Sequence, residues 1–125
     1  MKVYYAHFMG IYNTPQEKRD IQTLEELGLE VVNPNLPNTQ NEVDEALTTM
    51  DYMSMFDKIF LSKVRNCEVF AFKALPDGRI PSGVAMELLE AQTHNKTIIE
   101  LPSGMNSRMM DKVETREYLH DIGER

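Results

Sequence analysis

Four consecutive apolar residues, Val69-Phe70-Ala71-Phe72, constrain the fold of this chain more than any other stretch. A run of strand length without polar alternation has no face to give to water, which is the pattern of a strand covered on both sides in a parallel sheet. Three more β-prone runs fit around it: Val3 to Ala6, Leu29 to Val32 and Thr97 to Leu101. Helical patterns separate all four. Thr14-Pro15-Gln16-Glu17 reads as a helix start with an N-cap Thr, Pro at the first helical position and Glu at the third, predicting that the orphan amides are satisfied from both directions. Ile21, Leu24 and Leu27 make its buried stripe, and Gly28 stops it. From about Asn41 to Asn66 the pattern is helical, in one piece or two, with Met50, Met53, Phe56, Ile59, Phe60 and Val64 on a broad apolar face where the methionines read as packing. Ser82 is the expected cap of a third helix, and Asp111 to Ile122 closes the chain as a fourth, stopped by Gly123.

Strand and helix therefore alternate through one domain over residues 1–125. The pattern predicts a small α/β fold of flavodoxin-like (Rossmann-like) type: a parallel sheet of four or five strands, order 2-1-3-4, with helices on both faces. In such a sheet the ligand crevice opens at the carboxyl ends of the strands where the winding reverses, between strands 1 and 3. Thirteen Lys and Arg against twenty Asp and Glu give a net charge of −7, which excludes the positive surface that a nucleic-acid polymer demands. A small ligand is the expected partner. Cys67 is the single cysteine, so an internal disulfide and a thiolate metal cluster are excluded and a reducing, cytoplasmic compartment fits. His7, His94 and His120 are scattered without metal-like spacing, and no cofactor is implied. No apolar run approaches the ~20 residues of a membrane span, and the opening residues lead into a strand pattern instead of a signal peptide, so no membrane partner is expected.

Within the third helix one residue breaks the apolar pattern. Val84, Leu88 and Ala91 share a face, and Glu87 falls on the same stripe while Glu90 does not. A carboxylate taken out of water must shift its pKa, find a partner, or sit in a cleft that uses its charge, and Glu87 is accordingly the candidate nucleophile or acid/base. The bland alternative places Glu87 at the edge of the stripe, reaching water or an Arg. Tyr4, near the end of strand 1, can direct its hydroxyl into the crevice and hold Glu87, whereas alternation sends Tyr5 to the opposite face to pack. Arg79, Ser82 and Gly83 form a candidate anion subsite at a helix start, with the plain capping reading of Ser82 beside it. His7 and Gly10, on the loop leaving strand 1, and Asp77, in the loop before Ser82, are further candidate substrate contacts. A Glu held by a Tyr beside an anion site suits attack at the anomeric carbon of a sugar as its base departs.

At these residues the chain resembles the nucleoside 2-deoxyribosyltransferase family and its relatives, the deoxynucleoside 5′-monophosphate N-glycosidases. Three patches spread over residues 1–107 carry the resemblance. Lys2-Val3-Tyr4-Tyr5-Ala6 is similar to the family's opening strand, Gly83-Val84-Ala85-Met86-Glu87-Leu88 to its Gly-x-x-x-Glu-[Leu/Ile] signature, and Ser103-Gly104 through Ser107-Arg108 to the segment that reaches into a neighbouring subunit's pocket. The resemblance implies Glu87 as nucleophile, Tyr4 as its contact, and a homodimer or higher homo-oligomer. Two departures stand out. The family's acid in the helix before strand 3 aligns with Phe60, leaving Asp57, one turn earlier, as the nearby substitute. The family's deoxyribosyltransferases often carry an acid six residues before the Glu, where this chain has Pro81 beside Ser82, a pattern closer to the nucleotide-cleaving relatives. The expectation is N-glycosidic cleavage or transfer on a deoxyribonucleoside or its 5′-monophosphate, tilted toward the monophosphate, with Arg79, Ser82, Gly83 and either Ser107 or Arg108 on the phosphate. The alternatives are a non-catalytic nucleotide-binding module, an NAD-type glycohydrolase, and an interaction domain in which Glu87 is merely solvated.

Overall fold

The computed structural model describes residues 1–124. Its sheet has four strands, β1 (Lys2–Ala6), β2 (Glu30–Val32), β3 (Val69–Lys73) and β4 (Thr97–Leu101), all parallel and ordered β2-β1-β3-β4 as the alternation predicts. Tyr4 lies opposite Phe70 and Tyr5 opposite Ala71, so the two apolar central strands are in register over their whole shared length. All five residues of β3 are buried. The sheet's two faces divide the adjacent tyrosines. Tyr4 packs with Val64, Phe70, Phe72 and Val84 on one face, and Tyr5 with Val3, Leu24, Ala71 and Leu101 on the other. Each large apolar side chain removed from water, Leu24 or Phe70 for example, contributes about 2 kcal/mol to holding these layers together.

On the Tyr5 face lies α1 (Pro15–Glu26). Thr14 caps it, its hydroxyl accepting from the Glu17 amide at 3.3 Å. The reciprocal half of the predicted box is not made: the Glu17 side chain accepts from the Asn13 amide and from His7. The buried stripe also differs from the expected one. Three-residue steps drift off a 3.6-residue face, so Leu27 is 62 % exposed, while Glu17, Asp20 and Leu24 are buried. Asp20 is accommodated there because Tyr5 donates to it at 2.6 Å and Lys73 at 3.0 Å.

The long helical pattern after β2 divides into α2 (Thr39–Ala46) and a second unit made of α3 (Tyr52–Phe56), a π turn (Asp57–Leu61) and α4 (Ser62–Arg65). Asp51 starts the second unit by accepting the Ser54 amide at 2.8 Å. Met55, Phe56 and Ile59 are buried in a small cluster with Ala46, whereas Met53, expected in the core, is exposed. The Glu87 helix is α5 (Ser82–Thr93). Its cap position is held by Pro81 and not, as expected, by Ser82: the ring fixes φ at −60° and ψ is 153°, the extended geometry an N-cap needs, and Ser82 becomes the first helical residue. After β4 come α6 (Met105–Arg108) and α7 (Lys112–Asp121), the latter capped by Asp111.

Candidate active site

The crevice opens where the winding rule places it, beside the carboxyl ends of β1 and β3. The loop after β1 supplies one wall and the start of α5 the opposite one, while α2 and the α3 unit close the side. The hollow encloses about 320 Å³, within the range of small-molecule sites.

Glu87 lines this hollow and is 6 % exposed. Tyr4, wholly buried behind it, donates its hydroxyl to Glu87 Oε2 in a short hydrogen bond. The other oxygen, Oε1, has no partner among the described residues and is not sealed from the cavity. Burial pushes the Glu87 carboxyl up to about 7, against the opposing pull of the Tyr4 hydrogen bond. The Tyr4 hydroxyl is itself held well above its ordinary range, by burial first and by the Glu87 charge second, and so remains a donor. The carboxyl is thus fixed at one oxygen, open at the other, and able to change charge near neutrality.

Around it the pocket is mostly aromatic. Phe8 and Tyr12 come from the loop after β1, and Phe56 and Phe60 from the α3 unit, their rings 5.1 Å apart. Phe60 occupies the wall where an acid was sought. Asp57 does not replace it: its carboxylate is exposed and pairs at 2.8 Å with Arg65, which also holds Glu90 at 3.0 Å. Asp57 lies outside the pocket lining and is withdrawn as a catalytic candidate.

His7 does line the pocket, but both ring nitrogens are engaged within the protein. Nδ1 lies 3.1 Å from the Tyr5 carbonyl and Nε2 2.7 Å from Glu17, and the ring stacks on Tyr5 at 3.8 Å. His7 therefore shapes the wall instead of offering a free nitrogen to substrate. Burial would raise the Glu17 carboxyl, but hydrogen bonds from His7, the Asn13 amide and Asn35 outweigh it and hold it below its ordinary range. Gly10 also acts at one remove. A Cβ there would come within 2.4 Å of the Phe8 ring, so the bare backbone is what lets that ring lie where it does.

The expected phosphate contacts are not brought together. Arg79 is bonded to Asp77 at 2.6 Å on an exposed turn, Ser82 is exposed, and Ser107 bonds the Gly104 carbonyl at 2.7 Å. Asp77 and Ser107 border a different, wider depression of about 660 Å³ near Pro102 to Ser107. Of that set Gly83 alone lines the Glu87 pocket, and among the described residues no Lys or Arg does.

Comparison with protein-family models gives no match, and comparison with curated proteins gives no significant one.

Sequence reasoning passed over Tyr12, Phe8 and Gln40 as individual wall residues. The winding rule, which nominates the loop leaving β1, points to the first two once the loop is read residue by residue. Gln40 follows only from the packing of α2. Among the described residues no cluster suited to a metal ion occurs, and no helix is long and apolar enough to cross a membrane.

Proposed function

We propose that the chain cleaves or transfers the N-glycosidic bond of a deoxyribonucleoside, with Glu87 as nucleophile. The observation that carries this reading is Glu87 itself: a carboxylate buried in a ligand-sized hollow, anchored at Oε2 by Tyr4 and free at Oε1. The resemblance of the opening strand and of the Gly83 to Leu88 segment supports the same assignment from the sequence side. Ionised Oε1 attacks C1′, the C1′–N bond breaks with its electron pair going to the base, and a deoxyribosyl ester of Glu87 is left. Water or a second base then attacks C1′, and the ester oxygen departs as the Glu87 carboxylate. Tyr4 keeps the carboxylate in one orientation throughout, and the aromatic walls offer stacking surfaces to the base. Among the described residues the lining holds no lysine or arginine, which favours an uncharged nucleoside over its 5′-monophosphate. The same reading brings with it a homodimer, in which the exposed Met105, Met109 and Met110 stretch contacts the partner subunit, and a cytoplasmic setting that suits the buried Cys67 thiol.

The test is release of free base from a panel of deoxynucleosides and their 5′-monophosphates. Wild type is expected to release base, from nucleosides in preference to monophosphates, and Glu87→Ala to give only background. Equal background from both proteins across the panel overturns the enzyme reading. Phe60 in the pocket wall favours one second reading, a module that binds nucleosides without turning them over. Thermal stabilisation by nucleosides without base release selects it.

A further inference from the structure

Loss of a base from C1′ has two ends. Glu87 serves the sugar, but the departing base carries away the bonding electron pair and leaves as an anion unless something donates to it. With Phe60 in the wall and Asp57 turned outward, no acid other than Glu87 lines the pocket among the described residues. The remaining side-chain donors in the lining can be taken in turn. Both nitrogens of His7 face acceptors, the Tyr5 carbonyl and Glu17. Gln40 is exposed at the rim, with one of its two amide hydrogens given to Asp44 at 2.8 Å. Tyr52 is 56 % exposed, at the outer end of the aromatic row that runs through Phe56 to Phe60. Tyr12 remains. Its hydroxyl makes no hydrogen bond among the described residues and is not sealed from solvent, and its ring sits 4.7 Å from that of His7, tilted by 52°. Because His7 is itself fixed between Tyr5 and Glu17, the phenol is held in place from behind.

We propose that Tyr12 is the catalytic hydrogen-bond donor to the departing base, filling the role left open at Phe60. The proposal rests on the glycosidic reading of the pocket. Burial, then the charges of Glu87 and Glu17, push the Tyr12 phenol up to about 12, so at neutral and mildly alkaline pH it stays protonated while Glu87 is ionised. A phenol this weakly acidic does not surrender its proton to a nucleobase; it stabilises the developing negative charge by sharing it. Forming the bond from Glu87 Oε1 to C1′ and breaking C1′–N places the electron pair on the base, and Tyr12 O–H donates to a ring nitrogen or carbonyl oxygen of that base. In the second step water attacks C1′, the ester oxygen leaves as the Glu87 carboxylate, and the water proton ends on the base. The sum is nucleoside plus water to free base plus deoxyribose.

Matched leaving groups test this. A base that departs readily without help should not need Tyr12. Two pairs supply the contrast: 2′-deoxyguanosine with its N7-methyl derivative, whose base leaves neutral, and 2′-deoxyuridine with its 5-nitro derivative, whose base leaves as a stabilised anion. The kcat/KM of wild type and Tyr12→Phe is measured on all four, with Glu87→Gln as background. The expected result is a loss of at least about tenfold on the parent nucleoside that wild type accepts, and less than about twofold on its activated partner, a split that a general structural defect does not produce. Retained turnover of the activated partner also reports that the variant is folded. Equal slowing of both members, or no slowing of either, overturns the role of Tyr12 while leaving Glu87 as nucleophile. Wild type releasing base from none of the four overturns the glycosidic reading and this proposal with it.

Discussion

Glu87 carries opposite consequences for catalysis and for stability, and each has its own measurement. As the proposed nucleophile it acts ionised, so kcat/KM is expected to rise with pH through about 7 and level off above. Tyr4→Phe removes the hydrogen bond that favours the ionised form, which should move that limb to higher pH and lower the plateau by about tenfold or more. A role for Tyr4 in packing alone predicts an unmoved limb. Stability runs the other way. The carboxyl titrates near 4.5 in the unfolded chain and near 7 in the fold, so between those values the unfolded chain has released a proton the native one keeps. Stability from this group is therefore full below about pH 4.5, falls as the pH rises toward 7, and stays lower beyond. Glu87→Gln does not ionise, and at about pH 8 denaturant titration is expected to find it more stable than wild type by up to about 3 kcal/mol, with the gap closing in acid. An acidic residue on an apolar stripe was legible in the sequence, and so was its Tyr partner, because helix and strand periodicities assign both to the inner side. The engagement of His7 was not. Its two partners lie on the strand behind it and on the next helix, and no spacing rule reports a side chain held from both directions.

Among the elements, those defined by local chemistry were readable and those defined by contact were not. The unbroken apolar run of β3 and the Thr14-Pro15 start of α1 declare themselves within a few residues. The break between α2 and α3 depends on Asp51 capping Ser54, one of several acids in a stretch that otherwise keeps a helical pattern, and the π turn after α3 leaves no mark in composition. Asp51→Ala is expected to lower the melting temperature and the denaturant midpoint, as loss of an N-cap does. A sharper test lies at Gly104, which has φ +57° and whose absent Cβ would come within 1.8 Å of the Pro76 carbonyl oxygen. That close approach, together with the Ser103 hydroxyl donating to the Ala74 carbonyl at 2.8 Å, clips the segment after β4 to the loop after β3. Gly104→Ala should destabilise the protein by roughly 2 kcal/mol or more, because a side chain there meets backbone on one side and an unfavourable dihedral on the other. A melting temperature within about a degree of wild type counts against the clip.

At the level of the whole molecule, strand order and crevice position followed from alternation and from the handedness of parallel crossovers. Which loop residues enter the crevice did not, since the turns carrying Arg79 and Ser107 face a neighbouring depression instead. A net charge of −7, with no lysine or arginine in the pocket lining among the described residues, leads to a further expectation. A cleavable deoxynucleoside at roughly one hundred times its Kd, added to the Glu87→Gln protein so that it is not consumed, should add about 2.7 kcal/mol of stability, or about 10 °C in Tm. Duplex DNA at low salt should add nothing. Because every strand runs the same way, β1 enters the sheet at the edge farthest from the pocket, with Met1 beside the start of β2, where its carbonyl accepts from the Glu30 amide at 3.0 Å. A tether attached at Met1 would immobilise the molecule on a sensor chip with its mouth turned toward the flowing analyte.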